Sequence, residues 1–191
     1  MEEKMEYLDI VDEHGQPTGE IVERSLAHEN GILHRTSHVW LFRKHNGHLE
    51  VLLQKRSENK DSFPGCYDIS SAGHIPAGDE YLVSAIRELK EELGIDATEE
   101  EFLLCGTRRI QYERMFYGKW FRDNQVSNVY ILFRDIEADQ FKIQESELAE
   151  VRWMDFMECM DLVKQNKIKH CIMMEELLML KSKLEQEGYG L

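Results

Sequence analysis

Residues 73–95 read Gly73-His-Ile-Pro-Ala-Gly-Asp-Glu-Tyr-Leu-Val-Ser-Ala-Ile-Arg-Glu-Leu-Lys-Glu-Glu-Leu-Gly-Ile95, and the rest of the chain is organised around them. The segment begins as a loop, because Pro76, Ala77 and Gly78 do not continue a strand, and Asp79 is a good helix N-cap. From Glu80 the residues are helix formers, with an apolar stripe of Leu82, Ile86, Leu89 and Leu93 centred near Leu82 and Ile86. Gly94 supplies the left-handed residue that commonly ends a helix. Glu88, Glu91 and Glu92 stand at i, i+3 and i+4, so their carboxylates project from one face. Arg87 is four residues before Glu91 and can pair with it. Such carboxylates are hard oxygen ligands whose mutual repulsion a divalent cation would relieve. The same triplet on its own is also what a solvated acidic face looks like.

The frame around the triplet separates these readings. A glycine, five residues, an acid, seven residues and then Arg-Glu-Leu-x-Glu-Glu-x-Gly-Ile resembles the Nudix box, the loop–helix signature of enzymes that cleave diphosphates linked to another group. Asp79 stands where that family has Glu. The resemblance implies one α+β domain over residues 1–191, a Nudix α/β/α sandwich with a mixed sheet, with the box at 73–95. It also implies a hydrolase of nucleoside diphosphate-X compounds or related organic diphosphates. The cysteines without a pairing or zinc spacing and the N-terminus without an apolar core point to a reduced, cytoplasmic setting for it. Glu88, Glu91 and Glu92 would hold Mg²⁺, or Mn²⁺ in its place, and Arg87 would orient them. Either Glu88 or a later acid among Glu145, Glu147 and Glu150 would serve as general base.

Composition is consistent with that scheme. The 191 residues suffice for one well-filled core, and 42% hydrophobic with 31% charged content describes a soluble globular protein. A net charge of −14 argues against nonspecific nucleic-acid or anionic-membrane partners, so a polyanionic substrate needs a local basic patch or metal ions. Cys66, Cys105, Cys159 and Cys171 form no CxxC pair or zinc spacing and read as reduced, packed thiols. The N-terminal MEEKMEYLDI lacks an apolar leader core, and no segment is apolar for long enough to span a bilayer.

Outward from the box, Tyr7–Val11 and 20–22 read as short strands, and 24–30 as a loop or helical turn. Strands over 38–43 and 49–53 flank Asn46-Gly47, the dipeptide a tight hairpin prefers. A strand over 67–71 leads into the box, and 101–112 starts apolar and turns basic at Arg108 and Arg109. Residues 116–121 read as an aromatic loop, and 126–133 and 151–154 as strands. Helical spacing then predicts C-terminal helices within 156–187, one over 156–165 and one over 168–184.

A second resemblance runs from about Arg24 to Phe133. Ala27-His28, Leu33-His34, Trp40-Leu-Phe42, Arg56 and Lys60, Phe63-Pro-Gly65 and Gly73-His74 occur in the order seen in isopentenyl-diphosphate isomerase, a Nudix-fold relative. The resemblance places Arg24, Arg56 and Lys60 where that enzyme grips its diphosphate. It places His28, His34 and His74, with Asp123 and Gln125, where it binds a metal. Its catalytic Cys is Ala72 here, and its catalytic Glu is Gln125. Neither a methyl nor an amide delivers a proton at neutral pH, which favours hydrolysis over isomerisation. An isomerase using other residues and a catalytically silent nucleotide sensor remain the alternatives. The expected partner is a small-molecule diphosphate, with room for a homodimer.

Overall fold

The computed structural model describes residues 5–60 and 62–190. The first residues of the stretch read above as lacking a leader core lie outside them. Strands β1 (Tyr7–Val11) and β2 (Pro17–Glu23) form a separate antiparallel hairpin, and helix α1 (Arg24–Asn30) follows directly. The central strand β3 (His34–His45) turns through Asn46 and Gly47, both at positive φ, into β4 (His48–Arg56). Next come β5 (Tyr67–Asp68), β6 (Ser71–His74) and the box helix α2 (Tyr81–Leu93). A long hairpin of β7 (Leu103–Phe116) and β8 (Lys119–Phe133) precedes β9 (Leu148–Asp155), α3 (Phe156–Lys164) and α4 (Met174–Gln186).

The seven-stranded sheet runs β5-β4-β3-β8-β7, with β6 paired to β3 and β9 to β4. It is mixed, because β3 and β8 are parallel over His34–Phe42 while the other pairings are antiparallel. Strand alternation divides the core in two. Trp40, Phe42, Val129 and Ile131 pack under α3 and α4 with Phe156, Leu177, Leu180 and Leu184. Val39, Leu41, Tyr130 and Leu132 pack under α2 with Ala85, Leu89 and Leu93. The result is an α+β sandwich whose sheet is covered on both faces.

Several local expectations need correction. The N-cap of α2 is Glu80 rather than Asp79, since the chain is still extended at Glu80 and no side chain caps the helix. Its buried face is centred on Ala85 and Leu89, while Leu82 and Ile86 are half-buried. The strand expected over 67–71 is two short strands. Ser70 interrupts them by donating its hydroxyl to the Leu52 carbonyl and accepting the Leu41 amide. Residues 116–121 are not a loop: Phe116 pairs with Lys119 across a two-residue turn of Tyr117 and Gly118, both at positive φ. The last helix begins at Met174 rather than 168, because the backbone of 169–171 bonds to Tyr67 on β5 instead.

Candidate active site

Glu92 is on the last turn of α2 and on its buried side, where Ser71 of β6 donates its hydroxyl to Oε2 at 2.7 Å. One turn earlier, Glu88 lies directly over Gly73, the next residue of β6 on the same face. A Cβ at Gly73 would collide with Cγ and Cδ of Glu88, so only glycine lets the carboxylate rest on the strand. Arg87 pairs with Glu88 at 2.9 Å and with Glu91 at 3.4 Å, and donates weakly to the His74 carbonyl at 3.5 Å. Glu91 is exposed. The expected triplet is therefore two carboxylates at the helix–sheet boundary and a third in solvent, with Arg87 bridging Glu88 and Glu91.

Burial pushes Glu92 up to about 8, with the Ser71 bond pulling the other way and the charges of Glu88 and Glu147 adding to the rise. Burial likewise lifts Glu88 to about 7, against the nearby Arg87. Two desolvated carboxylates, one of them raised further by the other's charge, are suited to exchange their protons for a cation. Lys60 forms an ion pair with Glu147, and both charges act on Glu92. Arg24 pairs with Glu6 at 2.9 Å and acts on Glu88. Arg56 is held inside the fold: it donates to Asp68 at 3.1 Å and to the Ser62 carbonyl at 3.0 and 3.1 Å. Glu145 is exposed, and Glu150 accepts from the Tyr67 hydroxyl at 2.5 Å.

On the other face of the sheet, β6 contributes His74 to a cluster with His28 of α1 and His34 of β3. One ligand atom from each lies within 4.8 Å of the others. The α2 triplet does not gather its carboxylates that closely. Nδ1 of His34 faces the Ile32 carbonyl at 2.8 Å and donates to it, which leaves Nε2 with its lone pair. His34 Nε2, His28 Nδ1 and Asp123 Oδ1 are buried and find no hydrogen-bond partner among the described residues. Asp123 Oδ1 is 3.8 Å from His28 Nδ1 and 4.0 Å from His34 Nε2, and Gln125 donates to the other oxygen at 3.1 Å. Burial drives His28 down to about 3 and depresses His34 and His74, so all three rings are neutral at pH 7. Burial raises Asp123 to about 6. Neutral imidazoles and one carboxylate, three of whose polar atoms are orphaned, make a donor set that fits a cation.

A buried network that the sequence did not suggest anchors α4. Glu176 accepts from Trp40 Nε1 at 2.7 Å, His38 Nδ1 at 3.0 Å and Arg108 at 2.7 Å. Its only signal is a histidine within the apolar run of β3 and an acid within an apolar helix face.

The model of the NUDIX domain matches residues 33–175. The chain belongs to the Nudix family. Nudix hydrolase 3 of Arabidopsis thaliana is 40% identical over 162 residues, which cover 80% of this chain and 20% of that protein. An uncharacterised Nudix hydrolase of Clostridium acetobutylicum is 38% identical over 143 residues, 75% of this chain and 66% of that one. The chain thus spans about a fifth of the first relative's length and just under two thirds of the second's. Among solved structures, a Deinococcus radiodurans protein aligns with TM-score 0.66 at 17% identity, covering 90% of this chain and 97% of its own. A Caenorhabditis elegans Ap4A hydrolase aligns at 0.56 with 20% identity, covering 80% of this chain and 98% of its own. At those identities the likeness is one of fold. The Nudix match ends at Glu175, one residue before Glu176, and leaves out the β1–β2 hairpin.

Proposed function

We propose that this Nudix domain hydrolyses a diphosphate bond in a nucleoside diphosphate-X compound or a related organic diphosphate, with a divalent cation at the Glu88–Glu92 pair. The observation that supports this most directly is the seating of those two buried carboxylates on Gly73 and Ser71, where burial penalises their bare charge and a cation, by compensating it, would take the place of their protons. A bound Mg²⁺ or Mn²⁺ supplies charge neutralisation at the diphosphate oxygens and a lowered pKa for the attacking water. Glu91 completes the ligand set from the solvent side, and Arg87 keeps Glu88 and Glu91 oriented. Lys60 and Arg24 bind the diphosphate, exchanging Glu147 and Glu6 for phosphate oxygens. Arg56 shapes the same loop from within. Glu88, on the pair itself, or Glu147, whose charge acts on Glu92, takes the water's proton. His28, His34 and His74, with Asp123, form a second cation site.

Fold neighbours that carry adenosine compounds by name set the first substrates to try: an Ap4A hydrolase, and a Shewanella oneidensis Nudix domain bound to ADP-ribose. A panel of such diphosphates, incubated with and without Mg²⁺ and resolved by ion-exchange chromatography, tests the proposal. Metal-dependent cleavage of at least one is the expected result, and no cleavage of any by well-folded protein would count against it.

The histidine cluster gives the isomerase reading its one structural support. Ala72 and Gln125 oppose it, since each missing acid–base group typically costs about 10²–10⁴ in rate. Incubation with isopentenyl diphosphate in D₂O, followed by NMR, should show no deuterated dimethylallyl product at an enzyme-like rate. Enzyme-like isomerisation would instead place the chain on that branch.

A further inference from the structure

We propose that Asp9 and Arg35 are positioning residues for the acid helix, seating the first turn of α2 so that Glu88 and Glu92 meet β6 in register. The inference rests on the metal-binding role proposed for that helix. Asp9, on β1, is outside the residues that the Nudix match covers, whereas Arg35 is inside. The two form a buried ion pair, Arg35 NH2 to Asp9 Oδ2 at 2.8 Å. The same Asp9 oxygen accepts the backbone N–H of Gly78 at 2.9 Å, and the same Arg35 nitrogen donates to the carbonyl of Asp79 at 2.9 Å. The guanidinium also lies 5.4 Å from the centre of the Tyr81 ring, on the first helical residue. Ser37, two residues along β3, donates to the Tyr81 carbonyl at 2.7 Å. Around this pair, Ala77 N–H bonds to the Tyr7 carbonyl and Ile75 N–H to the Arg35 carbonyl.

The loop before the helix thus takes its fixed points from β1 and β3 rather than from an N-cap, because Glu80 makes no side-chain cap. The far end of α2 is equally constrained, with Lys142 and Gln144 donating to the carbonyls of Leu93 and Glu92. Between these ends Glu88 rests against Gly73 so closely that a Cβ there would overlap its Cγ and Cδ. A helix is stiff along its axis, so a shift of its first turn carries to the carboxylates two and three turns later. A charged buried pair that bonds backbone on both sides is a means of fixing that register, and removing one partner leaves the other uncompensated.

The test uses Mn²⁺ as probe, titrated into the full chain and followed by the EPR signal of the free ion, with the melting temperature measured alongside. The Mn²⁺ site of interest is the one lost in Glu92→Gln. Asp9→Asn should weaken that site by about 10-fold, the scale seen when groups that orient metal ligands are removed. It should raise the Mg²⁺ needed for half-maximal activity by a similar factor, while KM at saturating metal stays within about twofold. Asp9→Glu should recover most of the loss. Arg35→Lys should recover little, because a lysine cannot reproduce the guanidinium's several contacts. These charge-keeping variants carry the test if Asp9→Asn does not fold. A lowered melting temperature with unchanged Mn²⁺ affinity in Asp9→Asn and Arg35→Lys would overturn the proposal. If Glu92→Gln loses no Mn²⁺ site, the metal assignment of α2 has failed and the positioning role falls with it.

Discussion

Glu92 and Gly73 make separate predictions because they act through different atoms. Glu92→Gln keeps the shape of the side chain and removes a charge, so turnover should drop by about 10² or more in a steady-state assay, with folding intact. The same residue sets a pH dependence. A carboxyl raised in the folded state favours folding below its unfolded value near 4.5, and that contribution is lost as pH rises towards about 8. Metal-free protein should therefore lose melting temperature across this window, and Glu92→Gln should flatten part of the slope. Added Mg²⁺ should stabilise the wild type more at pH 8.5 than at pH 6, since cation and proton compete for the same oxygens. Gly73→Ala concerns space alone, because Gly73 is not at positive φ. The atoms that its methyl would strike belong to the Glu88 side chain, which can swing aside. Activity should fall steeply while the melting temperature changes by only a few degrees. Equal losses in both would show that the close approach is structural rather than functional.

At the scale of elements, the box helix and the Asn46-Gly47 hairpin were legible because each carries its own local signal, a 3.6-residue period or an obligatory left-handed turn. Elements fixed by distant partners were not. Nothing in 168–173 announces that Tyr67 will hold its backbone and delay α4. The aromatic residues of 116–121 hid a two-residue turn, since Tyr117 takes the left-handed conformation beside a glycine that favours it. For the site, spacing put three carboxylates on one face, but which of them would be buried depended on β6, a strand the sequence ran together with β5. The histidine cluster draws on three separate elements, and only the resemblance brought it together. The loop carrying Arg56 and Lys60 divides its charges between two tasks. Arg56→Ala should lower stability by about 1–3 kcal/mol in urea unfolding, because the half-buried Asp68 loses its charged partner. Lys60→Ala should leave the unfolding midpoint nearly unchanged and raise KM for the diphosphate.

Across the whole molecule, the two halves of the core are tied to the sheet in different ways. Helix α2 is held at its first turn by the Asp9–Arg35 pair and Ser37 and at its last by Ser71, whereas α4 is anchored by a single buried acid, Glu176, with three donors. Burial alone would raise Glu176, but His38, Trp40 and Arg108 hold it down at about 2. Burial alone would lower His38, but Glu176 outweighs it and raises the imidazole. The acid's contribution is present above about 4.5 and is lost as pH falls towards 2. The imidazole's is present below about 6.5 and is lost as pH rises through its elevated folded value. Glu176→Ala should cost about 3–5 kcal/mol in denaturant unfolding, the range for stripping one partner from a buried pair. A loss below 1 kcal/mol would mean that α4 is held by its leucines alone.

Strand β6 connects these two halves. Ser71 and Gly73 face the acid helix, while Ala72 and His74 face the opposite core and the histidines. Four consecutive residues thus serve two centres by alternation. A single-residue insertion between Ser71 and Gly73 would turn the residues beyond it to the wrong side, taking Gly73 from under Glu88 and His74 from the histidines at once. Neither can be transplanted to another scaffold, or diversified by indels, without rewriting the other. Mutational drift in this strand is therefore confined to substitutions.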